Sequence, residues 1–153
     1  MSKKKLYLAG PISGCTFGEC TDWRKEFARF MPPAIDCLSP MRSKEPLAPG
    51  ALILDHVYQD SVFGQDSAIM QRDHNDCTTA DCVVANFLGA TRVSIGTVME
   101  AAWCYHRHIP LIAVLEDDGS NCHDNHCMMR RAIGFRVATL EQAVIVARSI
   151  LNV

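Results

Sequence analysis

Short apolar runs alternate with helical patterns along the whole chain. The apolar runs predict five strands, at residues 6–9, 34–38, 82–87, 111–115 and 135–137. The helical spacing of apolar residues predicts five helices, at residues 21–31, 65–79, 97–108 and 122–133 and from Thr139 onward. The last helix has the start signal of a capping box, with Gln142 three residues after Thr139.

Strands that are apolar throughout and alternate with helices are typical of a parallel sheet covered on both faces. We therefore predict an α/β fold, a single-domain flavodoxin-like or Rossmann-like parallel sheet of about five strands over residues 1–153. Ligands of such folds bind at the carboxyl ends of the strands. We expect residues 10–14, the loop after Phe87 and the loop after Leu115 to surround one crevice.

Residues 39–64 are rich in proline, glycine and polar residues and show no clear element. A long loop in a compact domain is usually functional, so we expect this segment to form part of a pocket rim.

Composition narrows the functional classes. With 153 residues, 48% of them hydrophobic, the chain can bury one sizeable core. The formal net charge is −2 and charges of both signs are interspersed, which argues against binding of long nucleic acid. The first apolar run is too short for a signal peptide or a membrane span, so we expect a cytoplasmic protein whose eight cysteines are free thiols. Cys82 and Cys104 occupy positions where a small buried residue is expected.

Glu100 is the strongest candidate for chemistry. It follows the motif from Ser94 to Met99, after a predicted strand and at the start of a predicted helix. A first-turn position would let the helix dipole keep the carboxylate ionised and able to attack. The alternative is a glutamate that only stabilises its helix.

Asp73 and Tyr7 are two further candidates. Asp73 lies on the preceding predicted helix and is placed to exchange a proton, unless it is a solvated helix charge. Asp76 and Asp81 are nearby competitors, and Asp81 is better explained as a turn residue before its strand. Tyr7 lies on the first strand and faces either the crevice or the core.

The run from Cys122 to Cys127 contains two cysteines and two histidines within six residues. These side chains are zinc ligands elsewhere, but their spacing matches no standard zinc site. We expect neither a metal nor another cofactor.

Taken together, these residues resemble the nucleoside 2-deoxyribosyltransferase family. The resemblance runs from Leu6 to about Val114, except over residues 39–64. It is carried by the ordered segments Leu6-Tyr7-Leu8-Ala9-Gly10-Pro11, Asp73, Ala80-Asp81-Cys82-Val83-Val84-Ala85-Asn86, Gly96-Thr97-Val98-Met99-Glu100, Ala101-Ala102-Trp103-Cys104-Tyr105 and His108-Ile109-Pro110-Leu111-Ile112.

The resemblance implies roles for three of these residues. A glutamate at the Glu100 position attacks C1′ of the sugar, the aspartate at the Asp73 position exchanges a proton with the base, and the tyrosine at the Tyr7 position orients the glutamate. This logic is that of retaining glycosidases. The deoxyribosyl group then passes to another base or to water, and the acceptor decides between transferase and hydrolase.

The chain departs from the transferase pattern at Ser94, where transferases commonly carry an aspartate. Ser94-Ile95-Gly96 is more similar to deoxynucleoside 5′-monophosphate glycosidases, whose first loop holds the phosphate. Ser13 and Gly14 would then bind a phosphate, although they could equally form only a turn. The residues to which the resemblance assigns substrate contacts within one chain are Gly10, Pro11, Ser13, Gly14, Arg24, Ser94 and Gly96.

Family members also complete their pocket with a polar residue from a neighbouring subunit. That residue would fall at Asn125 to Cys127, so we expect a homo-oligomer with shared sites. The partners implied are a nucleoside or nucleotide and a free base, without a membrane. A deoxyribosyltransferase is the first interpretation, and a monophosphate N-glycosidase or an inactive nucleotide-binding domain are the alternatives. Glu100 and Asp73 argue against the inactive domain, because a sensor needs neither carboxylate.

Overall fold

The computed structural model describes residues 3–153 and contains one five-stranded, all-parallel sheet. The strands lie in the order β2-β1-β3-β4-β5. They are β1 Lys4–Ala9, β2 Ile35–Leu38, β3 Cys82–Asn86, β4 Leu111–Val114 and β5 Phe135–Val137. The predicted α/β fold with a five-stranded parallel sheet is confirmed.

Within residues 3–153, four α-helices and two 3-10 turns lie between the strands, and a fifth helix follows the last strand. The helices are α1 Phe17–Arg29, α2 Asp66–Thr79, α3 Ile95–Arg107, α4 Cys127–Ala132 and α5 Leu140–Leu151, and the 3-10 turns are Val62–Gly64 and Cys122–Asn125. None of the helices within residues 3–153 is long and apolar enough to cross a membrane.

The core has one layer on each side of the sheet because successive strand residues point to opposite faces. Tyr7, Val83 and Leu111 pack on the side of α2, α3 and α4. Leu8 and Val84 pack on the opposite side, against α1 and α5. Cys82 and Cys104 are fully buried and all eight cysteines are free, as expected.

Capping residues explain where the helices begin. Thr16 and Glu19 form a capping box, so α1 begins at Phe17, four residues before the predicted start. Ser94 caps α3, which begins at Ile95 and therefore carries Glu100 in its second turn. Thr139 caps α5 as predicted, by accepting the backbone N–H of Gln142 at 3.2 Å. The Gln142 side chain accepts the N–H of Ala138 instead of that of Thr139, so the predicted capping box is not complete.

The strand order places a topological switch between β1 and β3. Both strands end at the same edge of the sheet, and the loops that leave them diverge there to opposite faces. A crevice at this edge is where doubly wound sheets bind ligands. It is formed here by the loops that begin at Gly10 and Phe87.

Candidate active site

A cavity of about 630 Å³ lies at the carboxyl ends of β1 and β3. That volume suits a small molecule of nucleoside size. Its walls come from residues 10–15, from residues 89–97 and from the long loop over residues 39–64, which forms the rim as expected. The predicted contribution of the loop after Leu115 is wrong, since β4 lies one strand further from the switch between β1 and β3.

Of the residues predicted to act on or bind a substrate, eight line this cavity. They are Glu100, Asp73, Gly10, Pro11, Ser13, Gly14, Ser94 and Gly96. Tyr7 is fully buried behind Glu100, whereas Arg24, Asn125 and Cys127 lie elsewhere.

Glu100 projects from α3 and is only 7% exposed. The phenol of Tyr7 donates a hydrogen bond to its Oε1 at 2.7 Å. Burial raises the pKa of Glu100 to about 8, with a further increase from Asp73, while the Tyr7 hydrogen bond lowers it. The expectation that a first-turn helix dipole keeps Glu100 ionised is therefore wrong, because the residue lies in the second turn and burial has the largest effect.

Tyr7 reaches Glu100 from the neighbouring strand. Its side chain points from β1 into the core layer shared with α2 and α3. Burial and the nearby carboxyls of Glu100 and Asp73 raise the pKa of Tyr7 well above its ordinary value. Its hydroxyl thus stays protonated and serves as a permanent hydrogen-bond donor to the carboxylate.

Asp73 lies on α2, and its side chain is 16% exposed. Burial raises its pKa, against the lowering effect of Arg72 and Lys44. Its buried Oδ1 has no hydrogen-bond partner among the described residues, and Arg72 Nε lies 3.8 Å away. Asp73 lines the cavity, so its carboxyl is placed to exchange a hydrogen bond or a proton with a molecule there.

The competing aspartates have structural partners. Asp76 is buried and pairs with the guanidinium of Arg42. Asp81 accepts the backbone N–H of Lys5 at 2.7 Å and fixes the turn before β3, as expected.

The first loop, residues 10–14, has two positions where the backbone conformation and the close neighbours require glycine. Gly10 has a φ of +151°, and a Cβ there would lie 2.8 Å from the carbonyl oxygen of Asn86. Gly14 has a φ of +81°, and a Cβ there would overlap the guanidinium of Arg92. The N–H of Gly14 donates to the carbonyl of Ile53 at 2.8 Å, so it is not free to hold a phosphate as the glycine-loop hypothesis required.

Arg24 does not face the cavity. It is 2% exposed, and its guanidinium donates to the backbone carbonyls of Leu8, Gly10 and Cys20. The prediction that Arg24 contacts the substrate is corrected accordingly: it ties α1 to the end of β1 and the first loop.

Arg92 is the arginine that lines the cavity, and sequence reasoning missed it. It lies in the loop after β3 and donates to the carbonyl oxygen of Ser13 at 2.7 Å. The hydroxyl of Ser13 donates in turn to Asp55 Oδ1 at 3.0 Å. Beside the first loop, the cavity thus carries the guanidinium of Arg92 and the carboxylate of Asp55. Glu19 also lines the cavity, and its carboxylate accepts the backbone N–H of Thr16 at 2.7 Å.

Ser94 and Gly96 line the cavity at the start of α3. The Ser94 hydroxyl lies 2.9 Å from the Thr97 hydroxyl, and its backbone N–H donates to Nε2 of His123 at 2.9 Å. A Cβ at Gly96 would meet nothing within 4 Å, so space alone does not require glycine there.

Asn125 and Cys127 are exposed at the 3-10 turn and at the first residue of α4, and neither lines the cavity of its own chain. A role for them requires a second subunit. Residues 3–153 contain no group of three or more His, Cys, Asp or Glu side chains arranged to hold a metal ion.

No protein-family model matches the sequence, and neither does any curated protein. Solved structures share the fold. A conserved protein from Enterococcus faecalis superposes with a TM-score of 0.69 at 16% identity, over 96% of this chain and 98% of that one.

Two enzymes are also similar in structure. A 2-deoxyribosyltransferase from Bacillus psychrosaccharolyticus has a TM-score of 0.61 at 14% identity, over 92% of this chain and 90% of its own. A CMP N-glycosidase from Clostridium botulinum has a TM-score of 0.57 at 13% identity, over 95% of this chain and 98% of its own. At these identities, the likeness concerns the fold.

Proposed function

We propose that this chain cleaves the N-glycosidic bond of a 2′-deoxyribonucleoside and transfers the sugar to a second base, with Glu100 as nucleophile. The observation that carries the proposal is the grouping of Tyr7, Glu100 and Asp73 at one cavity. A buried carboxylate oriented by a phenol, beside a second carboxyl that is free to move a proton, is the set of groups that retaining glycosyl transfer needs.

In the first step, an oxygen of the Glu100 carboxylate forms a bond to C1′ of the sugar. The C1′–N bond breaks, its electron pair goes to the base nitrogen, and Asp73 in its acid form delivers a proton to the base. In the second step, a nitrogen of the incoming base attacks C1′ and expels Glu100 as a carboxylate. The proton from that nitrogen returns to Asp73, so the enzyme ends as it began.

The proposed reaction requires a single proton on the two carboxyls, and that proton must be held by Asp73. Two interacting carboxyls share their titration, so one is readily ionised while the other keeps its proton. Burial raises the pKa of both carboxyls, that of Glu100 to about 8, and the Tyr7 hydrogen bond is the contact that favours charge on Glu100. The proposed reactive state has an ionised Glu100 and a protonated Asp73.

A second candidate is hydrolysis of a deoxynucleoside 5′-monophosphate. Arg92, at the mouth beside Ser13, favours it, since a guanidinium is a good phosphate ligand. Asp55 favours an uncharged sugar end, because its carboxylate already accepts the Ser13 hydroxyl and would repel a phosphate. We therefore place the nucleoside first.

The two enzymes of similar fold support the proposal. One is a 2-deoxyribosyltransferase and the other a CMP N-glycosidase, and each matches this chain over nine tenths or more of its length. We propose that this chain belongs to the nucleoside 2-deoxyribosyltransferase superfamily, because that assignment accounts for both the shared fold and the predicted site residues.

The decisive experiment incubates the protein with each deoxynucleoside and each 5′-monophosphate, with and without a second free base. Chromatography then separates free base from new nucleoside. New nucleoside supports transfer, free base alone supports hydrolysis, and neither product from any substrate overturns the proposal. Glu100→Gln should abolish product, whereas Glu141→Gln, an exposed glutamate on α5, should not.

A homo-oligomer with shared cavities is part of the proposal. Asn125 and Cys127 are exposed next to Met128, whose side chain is 71% exposed, so this surface is available to a second copy. Sedimentation should show at least a dimer. A fully active monomer would remove Asn125 and Cys127 from the site.

A further inference from the structure

We propose that Lys44 binds the base of the substrate and makes the site selective for bases with a carbonyl oxygen at position 4 of a pyrimidine or position 6 of a purine. The inference rests on the proposed function and names a substrate class for it. Lys44 lies in the long loop over residues 39–64, where the chain shows no resemblance to the transferase family.

The loop that carries Lys44 is held by hydrogen bonds and an ion pair to α2, the helix that carries Asp73. Arg72, the neighbour of Asp73 on α2, donates to the carbonyl of Arg42 at 3.0 Å and to that of Pro40. The Arg42 guanidinium pairs in the opposite direction with the buried Asp76 of α2. These contacts fix the position of Lys44 relative to Asp73.

The backbone and the neighbours of Lys44 direct it towards the cavity. Ser43 has a φ of +62°, a left-handed conformation that turns the chain sharply just before Lys44. The ammonium lies 5.5 Å from the ring centroid of Tyr58, which also lines the cavity. The Tyr58 hydroxyl is held by the carbonyl of Glu45 at 3.0 Å.

Lys44 has no ion-pair partner within 4 Å among residues 3–153, although it is half-buried. Burial lowers its pKa, and the charge of Asp73 acts in the opposite sense. A half-buried cation without an ion-pair partner at a cavity wall is suited to a ligand that supplies acceptor oxygens.

The orientation of the substrate follows from the two carboxyls. Glu100 must face C1′ of the sugar, and Asp73 must face the base to which it gives a proton. Lys44 lies on the loop that is held to the Asp73 helix, and Arg92 lies beside the first loop. The base therefore points towards Lys44 and the 5′ end of the sugar towards Arg92.

An ammonium group has three donors and no acceptor. It can donate to an exocyclic carbonyl oxygen. It cannot hydrogen-bond an amino group at the same position, because that group is also a donor. The departing base also gains negative charge as the C1′–N bond breaks, so a cation at its carbonyl stabilises the transition state. Both effects favour deoxyuridine over deoxycytidine and deoxyinosine over deoxyadenosine.

The test measures kcat/KM of the wild type and of Lys44→Met on these four substrates. We expect the wild type to prefer the carbonyl member of each pair by about tenfold or more, the size expected for one charged hydrogen bond. Lys44→Met should lose about that factor on deoxyuridine and deoxyinosine and little on the other two. Lys44→Arg should restore part of the preference, and Lys25→Met, an exposed lysine on α1, should change nothing.

A wild type that prefers the amino substrates, or a Lys44→Met variant with the wild-type ratios, would overturn the role of Lys44. Equal loss on all four substrates, with a larger loss on monophosphates, would assign Lys44 to a phosphate instead and would also overturn it. A second measurement does not depend on turnover: calorimetry compares the binding of free uracil and free cytosine to the wild type and to Lys44→Met. If no deoxynucleoside reacts, the proposed function fails, and the uracil preference still decides the role of Lys44.

Discussion

The imidazole of His123 accepts the backbone N–H of Ser94 at 2.9 Å and so supports the residue that caps the Glu100 helix. The ring is buried, with its centroid 4.2 Å from that of Phe87. Its Nδ1 lies 3.0 Å from Asn121 Oδ1, and Asn121 donates to Glu116 at 2.7 Å. The segment after β4 therefore holds the cavity loop from behind instead of lining the cavity.

Replacing His123 should weaken both the fold and the reaction. In His123→Phe the part-buried N–H of Ser94 loses its acceptor, which costs about 1 kcal/mol of the free energy of unfolding. We expect kcat/KM to fall about tenfold, because Ser94 borders the cavity. His123→Gln can present a carbonyl acceptor and should keep part of both. The same loss in His106→Phe, an exposed histidine on α3, would contradict the specific role of His123.

The same histidine predicts a pH dependence of stability. Burial lowers the pKa of His123 from its usual 6.5, while Asp124 acts in the opposite sense. Below about pH 6.5 the unfolded chain therefore binds a proton that the folded one resists, so stability is lost as the pH falls. His123→Phe should lack this component, as seen in the difference between the two melting curves at about pH 5 and about pH 7. Asp124 and Cys122, which lie next to His123, and Glu116, which accepts from Asn121, remain in both proteins.

Glu100→Gln should separate activity from stability. The amide cannot attack C1′, so turnover should fall by roughly three orders of magnitude or more. Its stability should rise, because a buried carboxyl with a pKa of about 8 is protonated in the folded state and ionised in the unfolded chain above about pH 4.5. The advantage of the variant in Tm should therefore grow between about pH 4.5 and pH 8 and then level off. A variant with more than about a tenth of the wild-type rate would remove Glu100 from its role.

Tyr7→Phe tests how the nucleophile is ionised. Without the phenolic donor, the pKa of Glu100 should rise above 8, and the acid limb of kcat/KM should move to higher pH. Near neutral pH the rate should drop by about tenfold for each unit of the shift. At high pH the variant should approach the wild type. A uniform loss at every pH would instead indicate a structural role for Tyr7.

Some parts of this site were readable from the sequence because periodicity encodes them. The apolar runs located the strands, and the strand order brings the loop at Gly10 beside the loop after Phe87. Tyr7, Asp73 and Glu100 are candidates on these elements, and the resemblance to the nucleoside 2-deoxyribosyltransferase family is what assigns their roles. The helix start was placed too late, at Thr97, because the capping role of Ser94 was not recognised, and this led to the wrong account of the charge on Glu100.

Other parts depend on tertiary contacts that no local pattern specifies. Arg24 shares the buried face of α1 with Cys20 and Phe27, but no local pattern shows that three backbone carbonyls satisfy its guanidinium in the interior. Arg92 and Lys44 come from loops whose paths are set by contacts with distant residues, such as Ser13 for Arg92. A charged residue in a loop at the carboxyl edge of the sheet is the signal that would have found both.

Arg92 and Asp55, at the cavity mouth, favour opposite groups at the 5′ end of the substrate: Arg92 favours a phosphate and Asp55 a hydroxyl. If a monophosphate binds, Arg92→Ala should weaken its use by about tenfold or more and leave the plain nucleoside almost unchanged. Asp55→Asn should improve monophosphate use, since it removes a negative charge beside Ser13 and leaves a side chain that still accepts its hydroxyl. Ser13→Ala, like Arg92→Ala, should weaken the use of the monophosphate.

Kinetics on deoxyuridine and its 5′-monophosphate for these three variants decide between the candidates. Arg24→Ala is the informative comparison, because its guanidinium supports the first loop from the interior. It should lower stability and impair both substrates alike. If Arg92→Ala also treats the two substrates alike while Asp55→Asn impairs the nucleoside, Asp55 and Ser13 bind a 5′-hydroxyl, and the transferase acting on nucleosides is favoured.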